Sequence, residues 1–199
     1  MTAYNLIKSL TKRGNSVIGS GCYAAALSMS TNADKVIKIG NNVNDPWLAY
    51  YNLVTGNAAN PCVPHVYSLH MDSEHNYYVA IMERLEEDYS SQAKAAKTLC
   101  KEFTEGWHSE EEFLELAKQY EKQLPYPQQM LNLLLQIKAR TDFYEGDDVT
   151  EFSDGLMLDM HEGNFLSRDG AIIVTDPWCD PDIGDIDDVN YWASRHKVG

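Results

Sequence analysis

The hydrophobic pattern of this chain changes period near Asp88, and that switch restricts it to a fold of two unlike parts. Ahead of the switch, short β-branched and aromatic runs alternate with turn residues. Val17-Ile18, Lys35-Val36-Ile37-Lys38-Ile39, His65-Val66-Tyr67-Ser68-Leu69-His70 and Tyr77-Tyr78-Val79-Ala80-Ile81-Met82 read as strands. Gly19-Ser20-Gly21 is a small-residue turn before a further strand over 23–29, and the polar run Asp72 to Asn76 makes a hairpin of the last two strands. Asp45-Pro46-Trp47 places an N-cap before a proline at the first helical position, which predicts a helix to about Val54. Residues 1–13, with Leu6, Ile7 and Leu10 at helical spacing, read as a short amphipathic helix or a loose arm.

Beyond Asp88, residues 88–104, 109–123 and 127–143 carry the helical period, with breaks at Gly106 and at Pro125-Tyr126-Pro127. Leu131, Leu134, Leu135 and Ile137 mark the last as a core helix. Strand signals return at Leu156-Met157-Leu158, Asn164-Phe165-Leu166 and Ala171-Ile172-Ile173-Val174, followed by an acidic segment from Asp176 to Asp188. The predicted class is α+β. A β-rich N-terminal lobe spans 1–84 and a truncated helical C-terminal lobe spans 85–199, with the joint near Met82–Glu87.

Charge narrows the partners. The chain carries 16 Lys and Arg against 30 Asp and Glu, a formal charge of −14. Such a chain is repelled by nucleic-acid phosphates, so direct nucleic-acid binding is not expected, while a basic protein partner, simple solubility or mimicry of DNA remain open. No run approaches the ~18 apolar residues of a membrane span, and the first residues lack the apolar core of a signal peptide. Cys22, Cys62, Cys100 and Cys179 are scattered, with no Cys-x-x-Cys pair, which fits a reducing cytoplasm.

Three constellations carry chemistry. Gly19-Ser20-Gly21 is either an ordinary hairpin turn or a loop whose backbone N–H groups approach phosphate oxygens. Lys38, a cation inside an apolar strand, is either a solvent-facing edge residue or the group that neutralises nucleotide phosphates. The third is Asp159-Met160-His161-Glu162-Gly163-Asn164, followed by Asp176 at the end of the next strand. These are good turn residues, but Asp159 can also take the proton of an attacking hydroxyl while Asn164 and Asp176 coordinate Mg²⁺, an ion that needs only one or two protein oxygens. Asp180, Asp182, Asp185, Asp187 and Asp188 lack the closing Glu of a calcium loop and read as a solvated acidic segment.

Together these motifs resemble the protein-kinase-like superfamily. Ile18-Gly19-Ser20-Gly21-Cys22-Tyr23-Ala24 is similar to its glycine-rich loop, with Tyr23 at the aromatic tip. Val36-Ile37-Lys38 is similar to its lysine strand, Asp159 and Asn164 to its catalytic loop, and Asp176 to its metal-binding aspartate. The Asp-Met-His-Glu-Gly-Asn wording is nearer to aminoglycoside and choline kinases than to eukaryotic protein kinases. Taken with Thr175-Asp176-Pro177, it most resembles the early serine/threonine protein kinases of short-tailed coliphages.

The resemblance implies a small two-lobed kinase-like fold binding Mg-ATP between its lobes. It assigns Gly19, Ser20, Gly21, Tyr23 and Lys38 to ATP, Asn164 and Asp176 to Mg²⁺, and Asp159 to the accepting hydroxyl. His161 falls where protein kinases place a γ-phosphate lysine, so it either contacts that phosphate or shapes the loop. The backbone of Glu83-Arg84-Leu85-Glu86-Glu87 would face adenine. The implied activity is phosphoryl transfer to Ser or Thr of bacterial host proteins, in the cytoplasm of the infected cell. Two alternatives stand beside it: a pseudokinase-like effector that binds and inhibits a host protein, and a small-molecule kinase of the aminoglycoside or choline type. Departures are plain in the residues. Met157-Leu158 replaces His-Arg, Pro177-Trp178 replaces Phe-Gly, and no glutamate lies between Lys38 and Val63 to pair with the lysine.

Overall fold

The computed structural model describes residues 1–21, 23–105, 110–141 and 156–180. They divide into two compact units, one holding Met1–Tyr51 and His65–Arg84, the other Asn52–Pro64 and Leu85–Asp180. Cys22, Gly106, Trp107, Trp192, the turn at Gly146-Asp147-Asp148 and the acids Asp182, Asp185, Asp187 and Asp188 lie outside the described residues.

The first unit is built on an antiparallel sheet of five strands: β1 (Val17–Ser20), β2 (Ala24–Ser28), β3 (Lys35–Gly40), β4 (Val66–Asp72) and β5 (Tyr77–Glu83), in the order β1-β2-β3-β5-β4. The predicted strands over 65–70 and 77–82 are β4 and β5. Asn76 takes the left-handed conformation that closes their hairpin, with φ 53°, and its Oδ1 accepts the Val43 N–H at 3.1 Å.

The arm at the N-terminus is helix α1 (Ala3–Lys12). Thr2 caps it by accepting the Asn5 N–H on Oγ1 at 3.3 Å. Its Ile7 joins Val17, Leu27, Ile37 and Ile39 in a core on one face of the sheet. Strand alternation then sets the rest: with Ile37 and Ile39 turned to that core, Lys38 points to the opposite face.

Helix α2 (Pro46–Gly56) starts where Asp45 predicted it, and runs from the first unit into the second. Asp45 is buried, its Oδ1 accepting the Trp47 N–H at 2.9 Å and its Oδ2 the Tyr78 hydroxyl at 2.7 Å. A methyl group at Gly40 would fall inside the Tyr78 ring, so only glycine fits there.

The second unit holds helices α3 (Ser91–Glu105), α4 (Glu110–Tyr120) and α5 (Pro127–Lys138). The last two end several residues before the apolar pattern suggests. α5 buries Met130, Leu131, Leu133, Leu134 and Ile137. Two small ladders follow: β6 (Met157–Leu158) with β9 (Trp178–Cys179), and β7 (Phe165–Arg168) with β8 (Ala171–Val174). Asp169 and Gly170, at φ 50° and 81°, form the two-residue turn of the β7–β8 hairpin. Around this hairpin the unit is tied by the Arg168 guanidinium donating to the Pro61 carbonyl at 2.9 Å and by the Val174 N–H donating to Cys62 at 3.0 Å.

Two expectations shift locally. Asn164 belongs to a 3-10 turn (Glu162–Asn164), and the strand starts one residue later. Trp178-Cys179, read as part of an acidic segment, is a strand, because Leu158 and Met157 pair with it.

Candidate active site

In the second unit the sequence-selected loop is closed on itself by hydrogen bonds. The Asp159 N–H donates to the Pro177 carbonyl at 2.8 Å, and its own carbonyl accepts Asn164 Nδ2 at 2.7 Å. Asn164 is 8% exposed. Its carbonyl takes two donors from Thr175, the N–H at 2.9 Å and Oγ1 at 3.1 Å. The stretch 159–164 is thereby tied to the turn 175–177 on both sides of Asp176. Asp159 and Asn164 are brought together directly, and Asp176 is held next to them by its two chain neighbours.

The Cys179 thiol feels the charge of the same turn. Burial pushes its pKa up, and the negative charges of Asp159, Asp180 and Asp176 push it further in the same direction. Among the described residues, no three His, Cys, Asp or Glu side chains are arranged as a metal cage.

His161 shapes the loop. Its Nδ1 accepts the Gly163 N–H at 3.0 Å, which puts the proton of the neutral ring on Nε2, 3.9 Å from Asp159 Oδ2. A Cβ at Gly163 would stand 2.9 Å from His161 Cε1, so glycine is what lets the ring fold over the backbone. The His161 and Asp159 side chains remain 61% and 41% exposed, open to a reactant.

In the first unit Lys38 occupies the central strand, half-buried. Its cross-strand partners are Ala26 and Ala80, two methyl groups flanking the lysine stem. Its Nζ lies 4.6 Å from the Trp47 ring centroid. Gly19 and Ser20 end β1, Gly21 donates its N–H to the Ala24 carbonyl at 2.9 Å, and the Tyr23 carbonyl accepts from Asn41 at 3.1 Å. Glu83, at the proposed joint, is buried and holds the His65 N–H on Oε1 at 2.8 Å. Glu86 exchanges both backbone hydrogen bonds with Ser167.

Sequence reasoning read Thr175 and Pro177 only as part of the motif's wording, without a role, and missed Cys179. Pro177 acts through its backbone carbonyl and Thr175 through its N–H together with its hydroxyl, and Cys179 is brought next to the turn by the β6–β9 pairing.

One unit thus carries a lysine on the central strand of its antiparallel sheet, and the other an Asp-to-Asn loop tied to a Thr-Asp turn. The family model described as bacteriophage T7 protein kinase 0.7 matches residues 2–179. The chain belongs to that family, and its fold mixes α and β elements. No curated protein matches it. Among solved structures, the chain is similar to the gentamicin complex of APH(2″)-IIa, at 15% identity and TM-score 0.40, covering 89% of this chain and 72% of that one. The streptomycin-ATP ternary complex of APH(2″)-IIa gives 15% identity and TM-score 0.37 over the same shares, 89% and 72%. A GDP complex of an aminoglycoside 2′-phosphotransferase-IIIa variant gives 12% identity and TM-score 0.34, covering 98% of this chain and 80% of that one.

Proposed function

We propose that this chain transfers the γ-phosphoryl group of ATP, with Mg²⁺, to Ser or Thr hydroxyls of bacterial host proteins, in the cytoplasm of the infected cell. The observation that carries this reading is the closed Asp159–Asn164 loop tied to the Asp176 turn, which groups one exposed carboxylate with two oxygen donors. In the transfer, the bond from the γ-phosphorus to its bridging oxygen breaks, a bond to the Ser or Thr oxygen forms, and the hydroxyl proton passes to the Asp159 carboxylate. Lys38 and the 19–24 turn hold phosphates. A side chain at Gly21 would meet nothing within 4 Å, and one at Gly19 only Ala26 Cβ at 3.9 Å. Packing among the described residues therefore gives no reason for these glycines, whereas close approach of phosphate oxygens does.

The donor set suits Mg²⁺. Asn164 spends Nδ2 on the Asp159 carbonyl, which leaves Oδ1 as its acceptor, and Asp176 offers a half-buried carboxylate. These are hard oxygens in the small number Mg²⁺ takes from protein. When bound, the ion neutralises charge developing on the transferred group.

The test is incubation of the purified protein with labelled ATP and Mg²⁺, alone and with bacterial lysate, beside Asp159→Asn. Label on Ser or Thr that the variant fails to transfer supports the reading. Label on small molecules alone would replace it with a small-molecule kinase. No label, with Mg-ATP still raising the melting temperature, would replace it with a nucleotide-binding effector.

A further inference from the structure

We infer that Trp47 is a positioning residue for Lys38, orienting its ammonium through the ring face. This rests on the phosphate role given to Lys38 above. The indole is the first large side chain of α2, and Lys38 Nζ stands 4.6 Å from its centroid, within reach of the negative face of the π-system. Trp47 is 1% exposed, so the attraction operates away from bulk water, where it is strongest.

The ring is clamped in the required plane. It stacks on Tyr78 with centroids 5.3 Å apart and planes 7° from parallel. Tyr78 is itself fixed by donating its hydroxyl to Asp45 Oδ2 at 2.7 Å, while Asp45 Oδ1 accepts the Trp47 N–H at 2.9 Å. Asp45, the sole acid in sequence between Lys38 and Val63, thus holds the Trp47 backbone with one oxygen and the Tyr78 ring with the other. The glycine at position 40 admits the Tyr78 ring. Lysine, tryptophan, tyrosine and aspartate form one continuous support.

Two consequences follow. The Trp47 Nε1–H finds no hydrogen-bond partner among the described residues, so the indole contributes a face and not a donor. Phenylalanine, which keeps a face, should largely replace it, and leucine should not. The ring also carries no net charge, so it steers the ammonium without offsetting the positive charge that phosphates require.

Two measurements test this. In protein labelled with ¹³C at lysine Cε, the Lys38 methylene, assigned through Lys38→Arg, should resonate upfield from the ring current, as should Lys35, whose Nζ lies 3.9 Å from the Tyr67 centroid. In Trp47→Leu the Lys38 signal should return to the ordinary lysine position while Lys35 stays. This readout needs no catalysis, so it stands or falls apart from the proposed activity. In transfer assays, Trp47→Leu should lower kcat/KM for ATP by about 2- to 30-fold, the span of a cation–π contact, and Trp47→Phe should recover most of it even if both variants melt at the same lowered temperature. An ordinary Lys38 shift in the wild type, or equal activity in the leucine and phenylalanine variants, would overturn the inference.

Discussion

Asn164 offers the sharpest test of how the loop is held, because truncation and isosteric replacement should rank against intuition. Its buried Nδ2 donates to the Asp159 carbonyl at 2.7 Å. Asn164→Ala removes that bond and leaves the carbonyl unpaired, a cost of about 1–3 kcal/mol. Asn164→Asp keeps the shape but sets a carboxylate oxygen against a carbonyl oxygen at the same spacing, close to Asp159 and Asp176. Burying that extra charge raises the cost to roughly 3–5 kcal/mol. For a chain of this size the melting temperature falls about 2–4 °C per kcal/mol. Thermal unfolding at pH 8 should therefore rank wild type, then the alanine variant, then the aspartate variant. The introduced carboxyl is more basic in the folded state than in the unfolded chain, so the folded form binds the extra proton. Stability of Asn164→Asp relative to wild type should then improve as pH falls toward about 4, where the protonated acid can donate to the carbonyl. If the aspartate variant melts above the alanine variant at pH 8, packing and not the hydrogen bond fixes this loop.

Three further outcomes are expected. Asp176→Asn should raise the Mg²⁺ concentration for half-maximal transfer by at least the ~10-fold typical of a disturbed metal environment, with its melting temperature little changed; an unaltered Mg²⁺ titration would remove Asp176 from the metal site. Gly40→Ala should cost roughly 3–5 kcal/mol, combining overpacking against Tyr78 with a weakened Tyr78–Asp45 bond, and a melting temperature within 2 °C of wild type would show that the ring shifts freely. Burial pushes the Cys62 thiol pKa up from 9.0 to about 12, so the folded state keeps a proton that the unfolded chain loses. Stability should fall as pH rises from about 9 toward 12, by up to ~1.4 kcal/mol per unit from this group; Cys62→Ala should flatten that slope, and a variant with the wild-type slope would contradict the assignment.

What was legible in the sequence, and what was not, follows the range of the interactions. β3 and β5 could be read because β-branched and aromatic residues stand in unbroken runs, and α2 because Asp45-Pro46 is a local start signal. The pairing of β6 with β9 could not. The Leu156-Met157-Leu158 run announces β6, but β9 is two residues inside an otherwise acidic stretch; it forms because Leu158 meets Trp178 and the Trp178 indole donates to Thr141 Oγ1 at 3.0 Å, a contact far apart in sequence. The same holds for Trp47, which reads as a core residue and is one. Its position beneath Lys38 depends on how the turn between β3 and α2 is folded, and nothing periodic encodes that. Asp159, Asn164 and Asp176 were visible as residue types at suggestive spacing, whereas the Pro177 carbonyl and the Thr175 N–H that hold them are backbone atoms, and the Thr175 hydroxyl that joins them reads as nothing more than a polar side chain.

The departures from the kinase pattern then share one physical logic. With Met157-Leu158 in place of His-Arg, Asp159 has no adjacent arginine, yet its backbone is held by Pro177 and Asn164 through neutral hydrogen bonds at 2.8 and 2.7 Å. With no glutamate between Lys38 and Val63, the lysine rests on an uncharged ring. An arginine beside the catalytic-loop aspartate is also the group through which a phosphorylated loop can organise such a site. In this chain the Asp159 backbone is instead held by the Pro177 carbonyl and the Asn164 side-chain amide, two bonds that form when the chain folds.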